Sequence, residues 1–132
     1  MLVPVTPKYR RRRRRGKVEA ARLAALTLVT VEALSVIGPD LEMNLVFNTG
    51  GAGTDVLDDV IGADPTKWTA RYQGQKYVGS ILQNVAPDTL YLQMTPAGAE
   101  AGADVLAYSN APSDVSDSLG RFLAAFSDFP LA

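Results

Sequence analysis

The stretch "LEMNLVFN", residues 41–48, puts Leu41, Met43, Leu45 and Phe47 at every second position, with Glu42, Asn44, Val46 and Asn48 between them. Side chains of an extended chain point alternately to opposite faces, so a period of two marks a half-buried β-strand. The same period returns in "DTLYLQMTP" (88–96), where Leu90, Leu92 and Met94 take one face and Tyr91 and Gln93 the other. Ahead of residue 41, "LTLVTVEALSV" (26–36) alternates as well, with Leu26, Leu28 and Thr30 on one side and Thr27, Val29 and Val31 on the other. "GPD" (38–40) turns that strand back on the next.

Downstream the pattern continues in short pieces. "TGGAGT" (49–54) reads as a flexible loop, and "DVLDDVIG" (55–62) as a short helical turn that Asp55 caps. That turn would drop Val56, Leu57 and Val60 onto the core. "WTARYQGQKYVGSILQNV" (68–85) is two strands reversing at Gln73-Gly74-Gln75. "DVLAYSNAP" (104–112) and "RFLAAFSDFPL" (121–131) are two more, separated by the loop "SDVSDSLG" (113–120). Six or seven short strands with turns between them predict an all-β chain, an immunoglobulin-like antiparallel β-sandwich over residues 26–132. Its expected core is Leu45, Phe47, Trp68, Leu92, Val105 and Phe126.

Composition narrows the chemistry. The chain has 132 residues, with no cysteine and no histidine. Disulfides, thiolate metal sites and every His-based catalytic dyad or triad are therefore excluded. No run of about 18 apolar residues exists to span a membrane. "MLVPVTPKY" is too short and too rich in proline for a secretory signal, and it precedes its charges rather than following them. The expectation is a chain made in a cytoplasm.

Charge is divided unevenly. Residues 1–22 carry nine basic side chains against Glu19 alone, a surplus of eight positive charges. Residues 23–132 carry four basic side chains against thirteen acids, a surplus of nine negative charges. Residues 1–25 therefore read as a separate unit, an extended basic N-terminal arm. Within it, "KVEAARLAA" (17–25) forms a helical turn only if something packs on it. A partner-binding role falls to Leu2, Val3, Val5, Lys8, Tyr9, Arg10, Arg11, Arg12, Arg13, Arg14, Arg15 and Lys17. Arginine forks grip carboxylates and phosphates alike. An acidic body would repel a duplex lying across it, and only Tyr9 accompanies the arginines as a base-stacking aromatic. An acidic protein surface is the favoured target, a second copy of the chain among them, and nucleic acid the runner-up.

The order of these pieces resembles the SwmB-type immunoglobulin-like repeat of bacterial surface proteins, and the single-domain versions encoded among bacteriophage structural genes. "EMNLVFN" (42–48) is similar to that family's second strand. "DPTKWTARYQGQKYVGSI" (64–81) is similar to its central segment, with Trp68 at the aromatic core position. "DTLYLQMTPAGAEAGADVLAYSNAP" (88–112) and "VSDSLGRFLAAFSDFPL" (115–131) are similar to its last two segments. Asn48 stands where the family usually has an acid, and Gly120-Arg121 where it has Gly-Asn. Neither change favours a metal site. The resemblance implies a non-enzymatic virion protein, a capsid cement or decoration protein that clamps neighbouring subunits. The partner would be the major capsid protein or another virion protein, with many copies on the capsid surface. A head–tail or tail component is the alternative within the virion, and an adhesion or glycan-binding module the alternative outside it.

Other signals have plainer readings. Asp55, Asp58 and Asp59, with Asp114 and Asp117, lack the spacing of a calcium loop. They are expected to hold no metal, and no cofactor is expected. "GGAGT" lacks the lysine of a phosphate loop. Trp68, Tyr72, Tyr77, Tyr91 and Tyr108 could make a sugar-binding face, but aromatics at strand spacing usually pack in a core. No pattern supports an enzyme.

Overall fold

The computed structural model describes residues 25–49, 55–110 and 112–131. Seven strands follow in order: β1 (Leu28–Ile37), β2 (Asp40–Phe47), β3 (Trp68–Tyr72), β4 (Gln75–Ala86), β5 (Thr89–Ala99), β6 (Val105–Tyr108) and β7 (Phe126–Pro130). They form one antiparallel sheet with the spatial order β1-β2-β5-β4-β3-β6-β7. The sheet is curled so far that its two ends meet. Leu26, just before β1, forms a parallel bridge with Leu123, just before β7. Two separate sheets were expected; here β3 and β4 join the two halves through a continuous ladder.

β2 obeys its sequence without exception: Leu41, Met43, Leu45 and Phe47 are buried and the residues between them half-buried. Leu90, Leu92 and Met94 of the neighbouring β5 lie directly beside Leu45, Met43 and Leu41 on the same inner face. Trp68 opens β3 fully buried, packs on Tyr108 at 4.5 Å between ring centroids, and meets Phe126 edge-on at 5.9 Å. The β3–β4 reversal falls on Gln73 and Gly74, with φ of 52° and 77°. Both central residues with positive φ give the turn whose twist suits a two-residue hairpin.

Four local expectations change. Residues 55–62 contain no helix: Leu57 and Val60 are buried, but Val56 is exposed. Asp55 therefore caps nothing and is itself buried. β1 does not keep strict alternation, because bulges at Leu28/Thr30 and Glu32/Ser35 shift the register. A bulge inserts an extra residue and re-aims those after it. In β6 the inward positions are Leu106 and Tyr108, one residue out of phase with the expected Val105, which is half-buried. Phe126 is half-buried too, yet packs against Trp68 and Phe129.

A single 3₁₀ turn, Pro65–Lys67, precedes β3, capped by Asp64, whose side chain accepts from the Thr66 N–H at 2.9 Å. It lies so close to β4 that a Cβ at Gly79 would run into the Pro65 carbonyl.

Candidate functional site

The expected arm residues, Leu2, Val3, Val5, Lys8, Tyr9, Arg10 to Arg15 and Lys17, lie outside the described residues, as does the "GGAGT" glycine loop over positions 50–54. The described residues show two polar assemblies on which the chain's function can be read: one at an end of the sheet, one on its outer surface.

The first closes the end where β2 stops and β7 is about to begin. Arg121 reaches inward between two buried acids. Its Nε donates to Asp117 Oδ2 at 2.8 Å, and its Nη2 lies 2.6 Å from the same oxygen and 3.6 Å from Asp55 Oδ2. The same Nη2 donates to the Asn48 carbonyl at 3.1 Å. Asp117 Oδ1 accepts from the Leu119 N–H (3.1 Å) and the Arg121 N–H (3.0 Å), which folds the 117–121 loop around its own carboxylate. The buried Thr49 hydroxyl stands 3.0 Å from Asp55 Oδ2 and 3.2 Å from Asp117 Oδ2. Burial alone would push the Asp117 carboxyl up. The Arg121 guanidinium and backbone, with the Thr49 hydroxyl, overcome that and hold it below the ordinary value of 3.8.

Asn48 and Arg121 meet in this cluster, and each has a physical use. Asn48 accepts from the Thr27 N–H at 2.8 Å and donates to the Ala25 carbonyl at 3.1 Å. An aspartate could do only the first. Arg121 supplies the positive charge that two buried carboxylates require. The aspartate-rich segments thus pair with the chain's own groups: Asp55 and Asp117 with Arg121, and Asp114 with Lys67 at 2.9 Å. Among the described residues no three His, Cys, Asp or Glu side chains come together as a metal site. Sequence reasoning missed the Arg121 cluster. Its signal was Asp117 followed by Arg121 across Gly120, a spacing that a tight loop can close.

The second assembly is the outer surface of β1, β2, β5 and β4. The registers place Glu32, Asn44, Tyr91 and Gln83 in one row across it, and Ser35, Glu42, Gln93 and Ile81 in the next. Ile37 and Asp40 begin a third. Tyr91 donates its hydroxyl proton to Glu42 Oε1 at 2.6 Å, and Gln93 Nε2 donates to Asp40 Oδ2 at 3.0 Å. Burial and the adjoining Glu42 carboxylate push the Tyr91 hydroxyl up to about 12, so it stays a donor at any physiological pH. Among the described residues no lysine or arginine pairs with Glu32, Asp40 or Glu42.

The aromatic set divides. Trp68, Tyr77 and Tyr108 are buried, and Tyr72 and Tyr91 are half-buried in separate places. They make no exposed platform for a sugar ring. An open groove of about 620 Å³ runs between residues 57–61 and β4, lined by Leu57, Val60, Ile61, Leu82 and Asn84. No described helix is long and apolar enough to cross a membrane.

Together these features define an all-β domain whose buried acids are paired with Arg121 and whose outer sheet surface carries Glu32, Asp40 and Glu42, with which no described lysine or arginine pairs. Comparison with protein-family models, with curated proteins and with solved structures finds no match.

Proposed function

We propose that the chain is a non-enzymatic structural protein of a phage virion, an immunoglobulin-like domain that cements the capsid surface and clamps neighbouring subunits through its basic arm. The strand order supports the fold half of this reading. Labelled A to G in chain order, the sheet runs A-B-E-D-C-F-G, which is the ABED and CFG pair of an immunoglobulin domain joined at the C–D hairpin. A buried tryptophan on the third strand, Trp68, is a further feature of that architecture.

The observation that carries the functional half is the distribution of charge. Lys67, Arg71 and Arg121 are bound to acids of the domain itself. Residues 1–22 carry a surplus of eight positive charges, set against a surplus of nine negative charges on residues 23–132. A charge surplus set apart in this way serves an intermolecular contact. The virion role follows from the resemblance to phage-encoded single domains.

The test is proteomic and then mutational. Purified phage particles should contain the chain in many copies. The full-length protein with Arg10 to Arg15 all replaced by serine should fail to co-sediment with capsids that bind the unaltered protein. Absence of the chain from every purified particle would refute the virion reading. Equal co-sedimentation of the two proteins would refute the clamp.

A further inference from the structure

We propose that the outer face of β1, β2, β5 and β4 is the docking surface for the arginine run of a second copy of this chain. The inference deepens the clamp reading above and rests on it: it names a partner for the arm.

The face and the run match in charge and in repeat. Asp40 and Glu42 are alternate outward residues of β2, and Glu32 stands beside Asn44, the next outward position along. Carboxylates thus occur at three successive levels, about 7 Å apart. An extended chain has the same repeat, so Arg10, Arg12 and Arg14 on one side of an extended arm meet the three levels in step. Tyr91 and Gln93 each donate to one carboxylate and fix its direction, which leaves its other acceptor positions for a guanidinium. The described residues provide no cation there.

A second copy is favoured over the chain's own arm by reach. β1 leads away from Ala25 along the face, so the arm would first have to reverse beside Ala25, which takes about four residues. The six residues that remain back to Arg15 would cover about 9 Å as helix and span about 20 Å only if every one were fully extended, with no slack. The level of Glu32 lies about 20 Å along the strand from Ala25. A neighbour's arm meets no such limit, and each copy carries both an arm and a face, so the contact repeats from copy to copy.

Sedimentation velocity of the full-length protein tests this. At low salt it should show concentration-dependent association that high salt disperses, because exposed charge pairs are screened. The E32Q/D40N/E42Q variant should associate at least about tenfold more weakly, whereas D58N/D59N/D128N, with the same change in net charge, should behave as the unaltered chain. A charge swap separates docking between copies from folding back. R10E/R12E/R14E and E32K/D40K/E42K should each be monomeric alone and should associate when mixed. A chain that is monomeric at low salt, or an E32Q/D40N/E42Q variant that associates normally, overturns the proposal. If such a monomer still co-sediments with particles through its arginines, the clamp stands and only this docking surface falls.

Discussion

Replacing Arg121 with alanine should destabilise the domain by about 3 kcal/mol. The magnitude follows from what remains. The Arg121 side chain is 9% exposed, that of Asp117 is fully buried, and that of Asp55 is 10% exposed. Removing one member of a buried ion pair costs about 3–5 kcal/mol, since the other charge is left in a poorly solvating site. Asp117 would keep its two backbone donors, the N–H groups of residues 119 and 121, and could share the Thr49 hydroxyl proton with Asp55. Those surviving hydrogen bonds put the cost at the lower end of the range. Arg121→Lys keeps the charge but not the planar fork, and should lose less than the alanine variant.

The assay is urea unfolding of the full-length protein, with its two variants, across pH. The Asp117 carboxyl is depressed in the folded state, so its contribution is present above the unfolded value of 3.8 and is lost as pH falls through the folded value. In the alanine variant the depressing charge is gone, so protonation relieves the penalty. The gap between native protein and Arg121→Ala should therefore be full near neutrality and close as the pH falls below 3.8 through the depressed folded value. A loss under about 1 kcal/mol at neutral pH, or a gap that does not change with pH, would show that this cluster does not hold the end of the sheet together.

Three further outcomes are expected. Gly79→Ala should cost about 1–3 kcal/mol by forcing the 3₁₀ turn off β4, visible as a lower urea midpoint with an unchanged slope. Trp68→Ala should cost roughly 3–5 kcal/mol; Trp68→Phe should cost clearly less, because it also removes a buried indole N–H that has no hydrogen-bond partner. EDTA should leave the melting temperature unchanged, since Arg121 and Lys67 already compensate Asp55, Asp117 and Asp114; a drop would reveal a bound ion.

What could be read in advance depended on how local the cause was. β2 and β5 lie in the interior of the sheet, with a neighbour on each side and one face on the core. Burial then follows alternation directly, and Leu41 to Phe47 and Leu90 to Met94 fell where period two put them. β1 is an edge strand. With one partner only, it tolerates two bulges and a residue, Ala33, at φ 53°, and nothing in "LTLVTVEALSV" marks where such a bulge falls. β6 is four residues long, too few for the pattern to choose between Val105 and Leu106 as the inward residue. The acids at 55–59 resembled a helix start because Asp is a common cap, but the tertiary pull of Leu57 and Val60 onto the core, and the backbone bond from the Asp58 N–H to the Ser116 carbonyl, hold that segment extended.

The Arg121 cluster was hidden for a different reason: its members come from two loops far apart in the chain, and no local rule connects Thr49 and Asp55 to residues 117–121. Its consequence reaches beyond the loops. Leu123, two residues after Arg121, bridges Leu26, so the arginine that neutralises Asp117 also fixes the strand that closes the curled sheet. Asn48, whose carbonyl accepts from that arginine, holds the chain at Ala25 and Thr27 through its side chain. Ala25, Thr27 and the bridge that closes the sheet are thus tied to one guanidinium. If the proposed clamp pulls on the residues before Ala25, the hydrogen bonds of Asn48, the Arg121 guanidinium and the buried acids behind it are the contacts that would take the load.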